Sequence, residues 1–159
     1  MPATAFPTPL GHCGISWQDG VLTGFRLPPA APGGDTAPAW VAAIIARVQR
    51  HLEGDAQDFG DLPYDFATVG DFAAQVYRAT LTVKSGRTCS YGDIARQLGQ
   101  LPAVSRAIGT ALGANPWPLL VPCHRIVAGD GKMTGFSGPG GIKTKLRLLA
   151  IEGAQLFAE

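Results

Sequence analysis

Residues 90–112 read SYGDIARQLGQLPAVSRAIGTAL, which is two short helical patterns separated by a Gly-Gln-Leu-Pro break. Ser90 is a typical N-cap, and Asp93 stands three residues later, where a capping box places an acidic side chain or an amide. Beyond the break, a second helix is predicted to begin at Ala103 and to bury an apolar stripe, made of Val104, Ala107, Ile108, Ala111 and Leu112. Two helices joined by a short turn are typical of helix-turn-helix proteins, although two packed helices of an α+β domain would give the same pattern.

The second helix of this pattern carries few large side chains. Ala107 and Gly109 would let it approach a DNA backbone closely, and Arg106 lies on the side opposite Ile108 and Ala111. Because such a helix offers few side chains to base edges, phosphate contacts are expected to dominate and sequence preference to be weak.

An apolar run over residues 119–127 contains Pro122-Cys123-His124-Arg125. Nucleophilic chemistry requires a thiolate, and His124 and Arg125 are local groups that could lower the pKa of the Cys123 thiol. The alternative is a buried, inert cysteine that packs as a small hydrophobic residue.

Composition indicates a globular chain with a substantial core, since 46% of its 159 residues are hydrophobic. Three widely spaced cysteines argue against a disulfide framework and predict a reducing, cytoplasmic location. Neither a signal peptide nor a membrane-spanning run is predicted. His12 and Cys13 are adjacent, which is poor spacing for a metal site, so no metal is expected.

Charge divides the chain near residue 68. Residues 1–68 hold three arginines and seven acidic residues, whereas residues 69–159 hold ten basic and five acidic residues. The second half therefore has the excess of basic residues that is typical of a polyanion-binding domain, although a solvated basic face without a partner would give the same charge distribution.

The first half is predicted to be a scaffold without chemistry. Asp19-Gly20 between two β-type runs indicates a hairpin in a small antiparallel sheet, and a helix is predicted from Trp40 to Leu52. The fold class is therefore α+β, with a small N-terminal sheet-plus-helix domain (residues 1–68) followed by a mainly helical, winged helix-turn-helix-like domain (residues 69–159). The latter is predicted to close with a basic helix that buries Ile142, Leu146, Leu149 and Ala150.

Several motifs occur in unbroken order from about Phe72 to Gly153, and together they resemble the O6-alkylguanine-DNA alkyltransferases, the methylated-DNA–protein-cysteine methyltransferases. The motifs are Ser90-Tyr91-Gly92, Arg106, Asn115-Pro116, Pro122-Cys123-His124-Arg125, residues 134–138 and residues 148–153. The first half resembles the family's variable N-terminal domain only in organisation.

The resemblance implies that Cys123 takes the alkyl group from O6 of guanine in duplex DNA, and by extension from O4-alkylthymine, and keeps it. It implies that His124 activates the thiol through a water, that Glu152 orients and charges the imidazole, and that Asn115 braces the turn. No cofactor, no obligate protein partner and a monomeric state are expected.

The resemblance also implies two sets of DNA contacts. Arg106 would fill the gap left by the flipped nucleotide, and Tyr91 would press on the target phosphate and touch the base. The full set of expected DNA contacts is Ser90, Tyr91, Arg106, Ala107, Gly109 and Arg125. The expected alkylguanine pocket is formed by Tyr91, Pro118, Val121, Phe136 and Ser137, with the carbonyls of Val121 and Cys123 contacting the guanine edge.

Two departures from the family pattern predict an altered preference among alkyl groups. Phe136 stands where the family usually has tyrosine, and the loop over residues 137–141 is two residues longer than the common form.

Three other functions have distinguishing features. Non-catalytic lesion sensors of this family have tryptophan in place of Cys123, a fused transcription factor needs four grouped cysteines for zinc, and a thiol hydrolase would turn over an ester.

Overall fold

A computed structural model of the chain describes residues 1–128 and 141–154. Its first part is an antiparallel sheet of β1 (Ala3–Thr8), β2 (Gly11–Gln18) and β3 (Val21–Arg26), in that order. Strands β2 and β3 form the predicted hairpin, since Gln18 pairs with Val21. Asp19 and Gly20 between them have φ of 50° and 82°. Positive φ at both central residues is the geometry that the Asp-Gly pair favours, so the hairpin prediction is confirmed.

Helix α1 (Ala39–Leu52) covers the sheet. It begins one residue before the predicted Trp40 and ends at the predicted Leu52. Its buried face carries apolar residues at helical spacing, and one polar residue, His51, lies among them. The face consists of Val41, Ile44, Val48, His51 and Leu52. Its apolar members share one hydrophobic cluster with Phe6, Ile15 and Leu22 of the sheet.

The second half is mainly helical, and the predicted α+β fold is confirmed. Its elements are α2 (Asp71–Thr80), β4 (Cys89–Ser90), α3 (Tyr91–Gln97), α4 (Ser105–Gly113), β5 (Ile126–Val127) and α5 (Ile142–Ile151). Strands β4 and β5 form a short parallel pair. Ser90 caps α3 by the predicted capping box, because its hydroxyl accepts from the Asp93 N–H and its own N–H donates to the Asp93 carboxylate, both at 3.0 Å.

Helix α4 differs in detail from the prediction. Residues Pro102–Val104 form a separate 3-10 turn, so the α-helix begins at Ser105 rather than Ala103. Ile108, Ala111 and Leu112 are buried as predicted, but Ala107 is exposed. Ala107 therefore lies on the solvent side of the helix.

Helix α5 corrects the predicted buried face. Ile142 and Ala150 are exposed, whereas Lys145, Leu148 and Leu149 are buried. The buried stripe follows the spacing i, i+3, i+4 and continues at i+7 with Glu152, whose side chain is 1% exposed. Leu149 is buried as predicted and Leu146 is half-buried, so the prediction was wrong for Ile142 and Ala150. It assumed that only apolar side chains occupy the stripe and therefore missed Lys145.

Trp117 joins the two halves of the molecule. It is fully buried, its indole N–H donates to the Leu22 carbonyl at 3.0 Å, and its ring meets those of Tyr64, Phe66 and Tyr77 edge to face. The Phe25 N–H also donates to the Pro116 carbonyl at 2.8 Å. The loop that leads to Cys123 is therefore anchored on the N-terminal sheet. The division into domains at residues 68 and 69 stays a prediction.

No helix within residues 1–128 and 141–154 has the length and apolar character needed to cross a membrane.

Candidate thiol site and nucleic-acid interface

Cys123 begins a short 3-10 turn, Cys123–Arg125, that precedes β5. The loop before it is tightly folded, because Leu119 adopts a left-handed φ of 77° and the Val121 N–H donates to the Trp117 carbonyl at 2.9 Å. A leucine in this conformation is strained, and such strain persists only where the surrounding structure enforces it. Here the enforcing contacts surround a cysteine that is only 9% exposed.

Asn115 braces this loop from its side chain. Its carbonyl oxygen accepts from the Trp117 N–H, and its amide donates to the Val121 carbonyl, both at 2.9 Å. The Val121 carbonyl also accepts from the Cys123 N–H at 2.7 Å. Both lone pairs of this oxygen are therefore occupied. In this structure the Val121 carbonyl therefore shapes the turn, and its contact with the guanine edge stays a prediction.

The Cys123 sulfur rests as a thiol. Burial raises the pKa of Cys123, and the opposing influence of the Asn115 amide and the Lys145 ammonium is smaller. Since only the thiolate is a strong nucleophile, a base must remove the proton when substrate binds.

Lys145 is a buried cation that the sequence interpretation missed. It lies on the buried face of α5, and its ammonium donates to the Ile126 carbonyl at 2.8 Å. Burial lowers the pKa of Lys145, while its electrostatic contact with Cys123 acts in the opposite direction. Lys145 stands three and four residues before Leu148 and Leu149, and this helical spacing was the signal in the sequence that could have indicated its burial. A cation here favours a thiolate at Cys123.

His124 is positioned as a neutral base. It is fully buried, and its Nε2 lies 2.9 Å from Glu152 Oε2. Burial lowers the pKa of His124, and the contact with Glu152 opposes this without reversing it. A neutral imidazole facing a carboxylate carries its proton on Nε2, so Nδ1 has the free lone pair. Nδ1 has no hydrogen-bond partner within the part of the chain that the structure describes.

Glu152 is the centre of a buried polar network. Arg125 binds it through two donors, with Nε at 2.9 Å from Oε1 and Nη2 at 2.8 Å from Oε2, and His51 Nε2 lies 2.9 Å from Oε2. Burial alone would raise the pKa of Glu152, but the hydrogen bonds from His124, His51 and Arg125 hold that pKa well below its usual range. The carboxylate is therefore charged and can balance an imidazolium at His124.

Arg125 is a structural residue, which corrects its assignment as a DNA contact. The residue is 5% exposed, and its remaining Nη1 donates to the Val83 carbonyl at 2.7 Å. A guanidinium held by a buried carboxylate and a buried carbonyl is not available to a phosphate.

His51 shows that the first half is more than a scaffold. This residue stands at the end of α1, is 1% exposed and contacts Glu152 across 101 sequence positions. A polar residue on the apolar stripe, three positions after Val48 and seven after Ile44, was the signal that could have indicated a buried partner.

The proposed DNA face is formed by α3 and α4. Tyr91 opens α3, and its ring lies beside Gly109 of α4, where an added Cβ would stand 3.9 Å from the ring. Arg106 is exposed and makes no side-chain hydrogen bond or ion pair with any described residue. The Ser90 hydroxyl caps α3. The predicted contacts Tyr91, Arg106, Ala107 and Gly109 thus share one region.

Some pocket predictions remain open to experiment. Pro118 is half-buried in the loop before Cys123. Phe136 and residues 137–140, which include Ser137 and most of the longer loop, lie outside the described residues. Among the residues that are described, no cluster of three or more histidine, cysteine or acidic side chains could hold a metal.

Fold and site together define a helix-turn-helix protein with a buried thiol beside a neutral histidine that is paired with a charged glutamate. The chain belongs to the 6-O-methylguanine DNA methyltransferase family, whose DNA-binding-domain model matches residues 71–154. A methylated-DNA–protein-cysteine methyltransferase of Mycolicibacterium paratuberculosis is 35% identical, over 91% of this chain and 88% of the relative. A DNA base-flipping protein of Thermus thermophilus is 41% identical, over 93% and 97%.

The fold of the chain also resembles that of a solved structure. Mycobacterium tuberculosis OGT, crystallised in complex with DNA, superposes with a TM-score of 0.80 at 32% identity and covers 95% of this chain and 92% of that one.

Proposed function

We propose that this protein repairs alkylated DNA directly, by moving the alkyl group from O6 of guanine to Cys123 Sγ in a single, irreversible turnover. The observation that carries the proposal is the pairing of a buried thiol with a neutral imidazole. The imidazole has Nε2 tied to a charged carboxylate at 2.9 Å and a free lone pair on Nδ1.

The reaction follows from these groups. His124 Nδ1 takes the Cys123 proton through a bridging water, and Glu152 balances the resulting imidazolium. The thiolate then attacks the alkyl carbon, a carbon–sulfur bond forms, and the bond to O6 breaks with its electron pair passing to guanine. The departing guanine takes up one proton, which balances the proton that Cys123 gave to His124, and becomes neutral as His124 returns its proton to solvent. Since the product thioether is stable and no group of the site reverses it, each molecule acts once.

Access to the lesion requires the guanine to leave the base stack, which costs a few kcal/mol. Arg106 is suited to enter the duplex because it is exposed and its side chain makes no hydrogen bond or ion pair with residues 1–128 or 141–154. Tyr91 lies beside the same helix and can press on the phosphate of the target nucleotide. We expect the site to prefer O6-alkylguanine and to accept O4-alkylthymine as a second substrate.

The protein is proposed to act as a monomer in a reducing compartment, the cytoplasm. Its three cysteines are free thiols, and Cys123 in particular must be reduced to react.

A second candidate function is that of a non-catalytic lesion-binding protein. The 41% identity with a DNA base-flipping protein favours it, since flipping alone needs no nucleophile. Cys123 and its buried acid–base partners favour transfer, because a protein that only binds has no use for an activated thiol.

Comparison of the wild type with Cys123→Ala distinguishes these functions. Both proteins are incubated with a duplex containing O6-methylguanine, and the DNA is then digested and analysed for restored guanine. We expect the wild type to restore at most one guanine per protein, and Cys123→Ala to bind the duplex with unchanged affinity but to restore none. Restoration by Cys123→Ala would contradict the proposed nucleophile, and binding without restoration by the wild type would favour the second function.

A further inference from the structure

His51 occupies a position in the network that the reaction described above does not use. It reaches the Glu152 carboxylate from α1, in the N-terminal half, whereas the other described side chains that donate to this carboxylate come from the turn Cys123–Arg125. We propose that His51 is a positioning residue for alkyl transfer, which holds Glu152 so that His124 keeps its Nδ1 unprotonated. The proposal rests on the transfer function argued above.

The protonation of His51 follows from its two partners. The Gln57 N–H donates to His51 Nδ1 at 3.0 Å, so Nδ1 acts as an acceptor and the ring proton must lie on Nε2. Nε2 in turn donates to Glu152 Oε2 at 2.9 Å. The backbone contact at Nδ1 therefore fixes Nε2 as the nitrogen that faces Glu152 as a donor.

The ring of His51 is also held sterically. It is tilted by 58° against the ring of Phe59, with a centroid separation of 5.4 Å, and the Arg47 guanidinium lies 5.4 Å from the centroid of Phe59. With backbone, aromatic and carboxylate contacts in place, His51 presents one donor in one direction.

The consequence for His124 comes from the shared oxygen. Glu152 Oε2 accepts from His51, His124 and Arg125 at 2.9, 2.9 and 2.8 Å. Each donor reduces the negative charge available to the others, so a donor at His51 weakens the attraction of Glu152 for an imidazolium at His124. Among the described residues, the titratable and charged groups that face the pair of His124 and Glu152 are His51 from α1 and Arg125 from the turn. Lys145 from α5 lies beside Cys123.

Two substitutions separate the two functions of the His51 ring. In His51→Gln the side-chain amide can reach the place of Nε2 and still donate to Glu152. In His51→Asn the shorter side chain can accept from the Gln57 N–H but cannot reach Glu152. Both variants replace the ring by an amide, so their packing losses are similar and can be matched by chemical denaturation.

The test measures single-turnover transfer from an O6-methylguanine duplex as a function of pH. We expect His51→Asn to react roughly tenfold more slowly at neutral pH, the lower end of what loss of an orienting partner costs a functional histidine. Its acid limb should move to higher pH, because Glu152 then favours an imidazolium at His124. His51→Gln should keep the wild-type profile. Equal rates in all three proteins, or equal losses in the two variants, would overturn the proposal.

A second measurement uses the wild type alone and does not depend on transfer. Nitrogen chemical shifts of a histidine-labelled sample are recorded at the pH of the transfer assay, where the proposal requires the proton of the His51 ring to lie on Nε2. A proton on Nδ1, or a charged ring, would overturn it even if both variants failed to fold. A wild type that fails to transfer methyl but shows this tautomer would instead disprove the proposed function and leave the structural part of the inference intact.

Discussion

At the scale of single residues, the chemistry depends on how one buried carboxylate is shared. Glu152 is charged because His124, His51 and Arg125 donate to it, and its charge in turn supports His124 as a base. Removing one partner of a buried, hydrogen-bonded ion pair costs about 3–5 kcal/mol, because the remaining charge loses its compensation. The network therefore stabilises the fold and prepares the thiol site together.

The pH dependence of transfer is the first consequence. His124 acts as a base only when unprotonated, and burial lowers its pKa from the ordinary value of 6.5. The rate constant should therefore fall as His124 takes up its proton, with an acid limb centred below pH 6.5. Single-turnover rates measured in buffers of constant ionic strength test this, and an acid limb centred above pH 6.5 would contradict it.

Sequence reasoning at this scale named Cys123, His124, Glu152 and Asn115 together. In the structure Glu152 contacts His124, and Asn115 contacts the loop that leads to Cys123. Sequence reasoning assigned Arg125 to DNA because the order of residues shows charge but not burial. It missed His51 because the contact with Glu152 spans 101 positions and no local pattern encodes it. Lys145 was missed for a related reason, since a buried lysine is stabilised by partners that only the folded chain supplies.

At the scale of elements, helical periodicity predicted well which segments are helices. It was less successful at predicting which face of each helix is buried. The capping box of Ser90 and Asp93 is local chemistry, and it was predicted correctly. Helix α5 carries apolar residues on most of its sides, so periodicity alone could not select the face that holds Lys145 and Glu152. The start of α4 was misplaced because a proline at residue 102 suits a 3-10 turn as well as the first turn of an α-helix.

Arg106 gives the prediction that belongs to α4. Arg106→Ala should lower the rate of repair in duplex DNA at least tenfold more than the rate of reaction with free O6-alkylguanine, because only the duplex requires flipping. Single-turnover kinetics on both substrates make the comparison. Arg50→Ala is the matched control, since Arg50 is half-exposed on α1, away from α3 and α4. Equal losses on both substrates would remove the flipping role from Arg106.

At the scale of the whole molecule, the two halves meet at the site rather than beside it. Trp117 ties the loop of Cys123 to the sheet, and His51 ties α1 to Glu152. The sequence predicted both halves and their α+β class, but not this connection, because it consists of contacts between segments about 100 residues apart. The charge difference between the halves fits the arrangement, with the basic half carrying α3 and α4.

Trp117→Ala tests the connection. Loss of the buried indole should reduce the free energy of unfolding by about 3–5 kcal/mol, the cost of a large-to-small change in a core. It should also slow methyl transfer, because the strained loop before Cys123 loses its anchor. Chemical denaturation followed by circular dichroism measures the first effect. Trp40→Ala, at a half-buried position of α1, should cost clearly less, and equal costs would contradict the account.

The most direct test of the central claim is the intact mass of the protein after incubation with a duplex containing O6-methylguanine, followed by peptide mapping. The account predicts a gain of one methyl group and no more, located on Cys123, with Cys13 and Cys89 unmodified. An unchanged mass in protein that still binds the lesion duplex would contradict it, and so would a methyl group on either of the other two cysteines.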